Sequence, residues 1–140
     1  MTVLAEDAVL TMTINGEADL LHVRSMLRAE AQRAGLTLTA ETKLVTAGSE
    51  LARNIVRYST HGQGVASVER LRRNGRHGVR VEFRDDGPGI ADVEQVMRDG
   101  YTTGDSLGLG LPGSRRLVDE FSIDSAVGRG TTVVIAQWSR

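Results

Sequence analysis

The chain has 140 residues, 40% of them hydrophobic and 25% charged, with a net charge of −1 and no cysteine. That balance describes one folded, soluble domain and excludes disordered, fibrous and disulfide-stapled chains, as well as thiolate metal sites. The near-neutral charge gives no global field for nucleic acid or anionic lipid, and no apolar run approaches the roughly 20 residues that span a bilayer. Without a basic region and apolar segment at the N-terminus, no membrane partner is expected, and the expected address is cytoplasmic.

In chain order, residues 9–14 alternate well enough for a strand that ends at Asn15-Gly16. Apolar residues recur at helical spacing over residues 18–34 and stop at Gly35. A second helix is predicted from about Thr39, as its N-cap, to about Tyr58. Residues 65–71 and 79–83 read as paired strands joined through Arg73-Asn74-Gly75-Arg76. A short helix over residues 92–98 follows, then a glycine-rich loop over 99–110 and a helix over 111–120. Strands over 123–127 and 131–138 close the chain around Gly128-Arg129-Gly130. There is no internal repeat or linker, so residues 1–140 are expected to form a single domain. Helices fall between strands, but the hairpins imply antiparallel pairing, which favours α+β two-layer packing over a doubly wound parallel sheet.

The positive charge is almost all arginine, Lys43 being the only lysine, and Arg70, Arg72, Arg73, Arg76 and Arg80 cluster locally. Either they are the solvated rim of a hairpin or they form a docking patch for an acidic protein. No aromatic interleaves them, so base stacking is not expected.

Three segments carry the chemistry. On the second helix, Glu50 and Asn54 lie four apart, hence one above the other, on a polar stripe with Lys43 and Arg57. An asparagine offers Mg²⁺ a neutral oxygen, and a neighbouring glutamate can accept a proton from an attacking hydroxyl. A polar stripe is also what any surface helix shows. Asp85-Asp86-Gly87-Pro88-Gly89 is a carboxylate leading into glycines at a strand end, suited to a flat heterocycle at close backbone approach, or to an ordinary loop. Gly104, Gly108, Leu109 and Gly110 lead into a helix whose positive end, with Pro112 in its first turn, suits phosphate.

Residues 108–113 also spell G-x-G-x-x-G, but no strand immediately precedes them and no βαβ continuation follows, so a dinucleotide fingerprint is rejected. A Walker loop is rejected for want of Gly-Lys-Ser/Thr. Thr131, after Gly130, could fix an adenine or simply serve a strand. His22, His61 and His77 show no metal-ligand spacing.

Taken in order, Glu50-x-x-x-Asn54, Asp85-x-Gly87-x-Gly89, the Gly104 to Gly110 loop and Gly130-Thr131 resemble the GHKL ATPase and kinase superfamily of gyrase, Hsp90, histidine kinases and MutL. Ser49-Glu50-Leu51-Ala52-Arg53-Asn54-Ile55, Met97-Arg98-Asp99-Gly100-Tyr101, Gly110-Leu111-Pro112-Gly113 and Leu117-Val118-Asp119-Glu120-Phe121 resemble the anti-sigma-factor serine/threonine kinases, in particular the stressosome switch kinases of RsbT type.

The resemblance implies a Bergerat fold: a mixed, mostly antiparallel sheet covered by helices on one face. It implies Asn54 as the Mg²⁺ ligand, Glu50 as general base and Asp85 as acceptor of the adenine amino group. Gly87 and Gly89 would form the pocket floor and lid hinge, Gly104, Gly108, Leu109 and Gly110 would meet the phosphates, and Thr131 would support the adenine. It implies ATP and Mg²⁺ as cofactors, a STAS-domain antagonist as phosphorylation substrate, and a PP2C-type phosphatase activated by binding. Tyr58 stands where many sigma-binding relatives have a histidine, and the lid over residues 97–110 is short; both favour the switch kinase. The rival expectations are a nucleotide-dependent binding module without kinase activity, and an ATP-hydrolysing clamp.

Overall fold

The computed structural model describes residues 4–5, 9–59, 63–98 and 110–139. The elements run β1 (Leu4–Ala5), β2 (Leu10–Ile14), α1 (Ala18–Arg33), α2 (Leu38–Tyr58), β3 (Gly64–Arg73), β4 (Arg76–Asp85), α3 (Val93–Val96), α4 (Leu111–Leu117), β5 (Glu120–Ser125) and β6 (Thr131–Trp138). The sheet order is β1-β3-β4-β6-β5, with β2 also paired to β3, and every pairing between described strands is antiparallel. The β3–β4 and β5–β6 pairs are hairpins, whereas β2 meets β3 across α1 and α2, and β4 meets β6 across α3, α4 and β5.

Local chemistry sets the element ends. The backbone of α1 closes on Gly35: the Gly35 and Leu36 N–H groups donate to the Gln32 and Ala31 carbonyls, and Leu36 is buried beside the turn. Thr37, not Thr39, caps α2, its hydroxyl accepting the Ala40 N–H at 3.1 Å. The first threonine wins because its extended backbone lies outside the helix, where a cap must sit. Asn74 and Gly75, both at positive φ, make the two-residue turn between β3 and β4.

Several further boundaries differ from expectation. The α4 helix ends at Leu117, and β5 begins at Glu120 and ends at Ser125 rather than running over residues 123–127. Tertiary hydrogen bonds override helical periodicity there: the Asp119 N–H donates to Gln137 Oε1 at 2.8 Å, and Asp119 Oδ2 accepts the Trp138 N–H at 2.9 Å. The chain is thereby drawn onto the edge of β6. Likewise α3 is a single turn capped by Asp92 rather than a helix to residue 98.

The helices cover one face. Ala66, Val68, Val79, Val81, Phe83, Val133 and Ile135 from the sheet meet Val23, Leu27, Leu44, Leu51 and Ile55 from α1 and α2 in one apolar cluster. On the hairpin, arginines find intramolecular partners: Arg70 pairs with Glu30, Arg73 with Glu120 and Arg80 with Glu69, and Arg76 Nε donates to the Ser139 carbonyl. Four of the five clustered arginines are thus engaged within the molecule, as a hairpin rim would have them.

Register fixes the position of the site. Across the end of the sheet, Ile14 pairs with Gly64, Gly64 with Asp85, Asp85 with Thr131 and Thr131 with Ser125. Five strands therefore deliver their ends to one row beside the C-terminal half of α2.

Candidate nucleotide-binding site

A cavity of about 250 Å³ opens at that row. Leu51, Asn54, Ile55 and Tyr58 of α2 form one wall, Phe83, Asp85, Thr131 and Val133 of the sheet form the floor, and Pro88, Gly89, Ile90, Val96 and Leu111 close the rest. Such a surface, mostly apolar with a few polar groups converging on it, suits a flat heterocyclic ligand. Of the polar stripe of α2, Lys43 and Arg57 are exposed as a surface helix would have them, but Asn54 is not. Asn54 shares the cavity wall with Leu51 and Ile55.

Asp85 ends β4 with Oδ1 accepting the Gly87 N–H at 2.7 Å. That bond fixes the carboxylate and leaves Oδ2 for another donor. Burial raises the Asp85 pKa above its ordinary value, the Gly87 bond opposing and the Asp86 charge adding to the rise. Asp85 thus sits as a half-buried acceptor for which a donor-bearing ligand would be favourable.

The turn after Asp85 is clamped to the turn between β5 and β6. The Gly128 N–H donates to the Pro88 carbonyl at 3.0 Å, and the Ile90 N–H donates to Ser125 Oγ at 2.8 Å. Gly89 has φ +78, and a Cβ there would lie 2.0 Å from the Ala126 carbonyl oxygen. Gly130 has φ +76, and a Cβ there would lie 2.1 Å from the Asp85 carbonyl oxygen. Only glycine fits either place. Gly87 lies buried beneath the same turn, where a Cβ would stand 2.8 Å from the Ser59 Cα at the end of α2.

Glu50 lies one helical turn before Asn54. Its Oε1 pairs with Arg53 at 3.1 Å, and a Cβ on Gly110 would lie 3.1 Å from its Oε2. Gly110 is the left-handed residue that starts α4, so the far end of the glycine-rich segment reaches the α2 carboxylate. Gly104, Gly108 and Leu109 lie outside the described residues.

The structure thus gathers Asn54, Asp85, Gly89 and Thr131 on one cavity and brings Glu50 to Gly110. Ser125, which joins the Ile90 N–H, the Gly130 carbonyl and Thr131, escaped the sequence reading. Its signal was the register of β5 with β6, which the misplaced strand boundary concealed.

The residue set suits magnesium. Among the described residues no group of three or more His, Asp or Glu could hold a metal by itself. Mg²⁺ prefers one or two protein oxygens, with waters and phosphates completing its shell. One amide oxygen on the cavity wall fits that demand.

An α+β sheet with helices on one face and an acid-glycine cavity at the strand ends defines a nucleotide-binding domain of the GHKL kind. The chain belongs to the histidine kinase-like ATPase domain family, whose match covers residues 15–138. It is 40% identical over 124 residues to the serine/threonine-protein kinase RsbT of Bacillus subtilis (strain 168), an alignment covering 89% of this chain and 92% of that protein. That likeness makes the chain an enzyme of the protein serine/threonine kinase class.

Two nucleotide-free structures of the catalytic domain of histidine kinase ThkA share the fold, at 13% identity each. Their TM-scores are 0.53 and 0.50; the matches cover 91% and 94% of this chain and 95% and 97% of theirs.

Proposed function

We propose that the chain transfers the γ-phosphate of ATP to a serine or threonine hydroxyl of a STAS-domain antagonist protein, in the cytoplasm. The observation that carries this reading is the convergence of Asn54, Asp85 and Thr131 on one cavity, with Glu50 one turn away. Asp85 accepts the hydrogen bond of the adenine amino group through Oδ2, while Leu51, Ile55, Phe83 and Val133 take the ring face. Gly87 and Gly89 let the backbone approach the base. The Gly104 to Gly110 segment, Leu109 included, wraps the phosphates, and Thr131 supports the adenine.

Asn54 would hold Mg²⁺, which when bound neutralises phosphate charge. The acceptor hydroxyl oxygen bonds to the γ-phosphorus as the bond to the bridging oxygen of ADP breaks. Glu50 takes the hydroxyl proton at Oε2, Oε1 being held by Arg53. Positioning supplies most of the acceleration.

In the partner-switching arrangement that the likeness supports, loss of the phosphorylated antagonist frees the kinase to bind and activate a PP2C-type phosphatase upstream of a sigma factor. The test is incubation with γ-labelled ATP, Mg²⁺ and STAS-domain proteins, with mapping of the label. A labelled serine or threonine is expected. ATP binding with no protein labelled across the STAS set would leave the non-catalytic binding module instead.

A further inference from the structure

Ser125 Oγ stands at the meeting point of three groups. It lies 2.8 Å from the Ile90 N–H, 3.0 Å from the Gly130 carbonyl oxygen and 2.7 Å from Thr131 Oγ1. A serine hydroxyl has one proton and two lone pairs. The Ile90 N–H can only donate, and the Gly130 oxygen can only accept. If the Ser125 proton pointed at Thr131, Ser125 Oγ and the Gly130 oxygen would face each other at 3.0 Å with no proton between them. The arrangement that satisfies all four groups sends the Ser125 proton to Gly130, while the Ile90 N–H and the Thr131 O–H both donate to Ser125 Oγ. The Thr131 proton is then committed away from the cavity that Thr131 lines.

We propose that Ser125 fixes the Thr131 hydroxyl as an acceptor, and so makes the cavity prefer a purine carrying an amino group over one carrying a keto oxygen. This rests on the nucleotide reading given above. Asp85 and Thr131 are partners in the β4–β6 register, so both acceptors belong to the same stretch of floor. An exocyclic amine brings two donors to it, whereas a keto oxygen would meet lone pairs. Freed from Ser125, the Thr131 hydroxyl can rotate its proton into the cavity and donate to that keto oxygen. Ser125 is a positioning residue, acting through Thr131.

The test is the affinity of the full chain for Mg·ATP and Mg·ITP by calorimetry, in wild type, Ser125→Ala, Ser125→Thr and Thr131→Val. Ser125→Ala is expected to lower the preference for ATP over ITP by roughly three- to tenfold, the worth of about one hydrogen bond. Ser125→Thr keeps the hydroxyl and restores the preference. In the Thr131→Val background, adding Ser125→Ala leaves the ratio unchanged. A Ser125→Ala protein that weakens both nucleotides equally reduces Ser125 to a structural role and overturns the inference, while the nucleotide reading stands. Should Ser125→Ala not fold, Thr131→Val alone decides: ATP weakened with ITP unaffected or tighter supports the acceptor assignment, and ITP weakened more than ATP overturns it. A wild-type chain that binds neither nucleotide overturns the nucleotide reading itself, and the inference with it.

Discussion

Asp85 Oδ1 holds the Gly87 N–H at 2.7 Å, so the residue that would read the ligand is tied to the turn that shapes its floor. The tie orients a carboxylate whose burial raises its pKa. An acid that binds its proton more tightly when folded stabilises the fold at low pH. That contribution is complete below the ordinary value of 3.8 and is lost as pH rises through the folded value. At neutral pH, therefore, the charge at Asp85 costs stability. Asp85→Asn is expected to raise the melting temperature at pH 7, with the gain shrinking towards pH 4, because the amide keeps an acceptor for Gly87 and carries no charge. The same change presents a donor where an acceptor is needed, so ATP affinity should fall about 10- to 100-fold. Calorimetry and thermal melts on one protein preparation check both. Lost affinity without a pH-dependent gain in stability would contradict the burial argument.

The roles proposed for Glu50 and Asn54 predict that chemistry and binding separate between their variants. Glu50→Gln keeps the shape of the side chain and removes its basicity, so phosphotransfer should fall by about 10²- to 10⁴-fold with ATP affinity within a few-fold of wild type. Asn54→Ala should instead abolish the magnesium-dependent part of ATP affinity, because a methyl group offers the cation no oxygen. Titrating ATP with and without Mg²⁺ separates the two. Equal loss of transfer and of magnesium dependence in both variants would merge the roles assigned to them.

Much of the layout of the candidate site was legible in the chain because its parts are local. An acid followed by glycines at a strand end, and Glu50 above Asn54 on one helix face, are patterns that short-range geometry alone creates. Strand register is not local. That Asp85, Thr131 and Ser125 fall in one row depends on the pairing of Asp85 with Thr131, distant in sequence, and on the register of the β5–β6 hairpin, so Thr131 could be read as an ordinary strand threonine and Ser125 passed unnoticed. The end of α4 failed for a related reason. Residues 118–120 continue a helical pattern, and what stops them is Gln137 and Trp138 on β6. The partners of the arginine cluster were only partly legible, because Glu30 and Glu120 come from α1 and β5, distant in sequence from Arg70 and Arg73.

The turn glycines provide a graded series. Gly128, Gly89 and Gly130 all have positive φ, but a Cβ on Gly128 meets nothing within 4 Å. Gly128→Ala should therefore cost only the left-handed penalty of about 1–2 kcal/mol. Gly89→Ala and Gly130→Ala add a collision with a backbone carbonyl, at 2.0 Å from Ala126 and 2.1 Å from Asp85. Each should cost about 3 kcal/mol or more and loosen the cavity floor. Urea unfolding measures the order. A Gly130→Ala protein as stable as Gly128→Ala would mean that the contact between the turn and Asp85 is not held in solution.

At the start of α2, the competing caps give a test that binding does not enter. Thr37 has the extended backbone of a cap and its hydroxyl accepts the Ala40 N–H, whereas Thr39 is already inside the helix and exposed. Thr37→Ala removes a partner from a helix-end donor and should cost about 1 kcal/mol, while Thr39→Ala should stay within about 0.5 kcal/mol of wild type. Because α2 carries Glu50 and Asn54 three turns and more beyond the cap, the loss at Thr37 should appear in the urea midpoint and leave ATP affinity unchanged. A larger cost at Thr39 than at Thr37 would move the helix start two residues along and shift the cap to the position that its periodicity alone suggests.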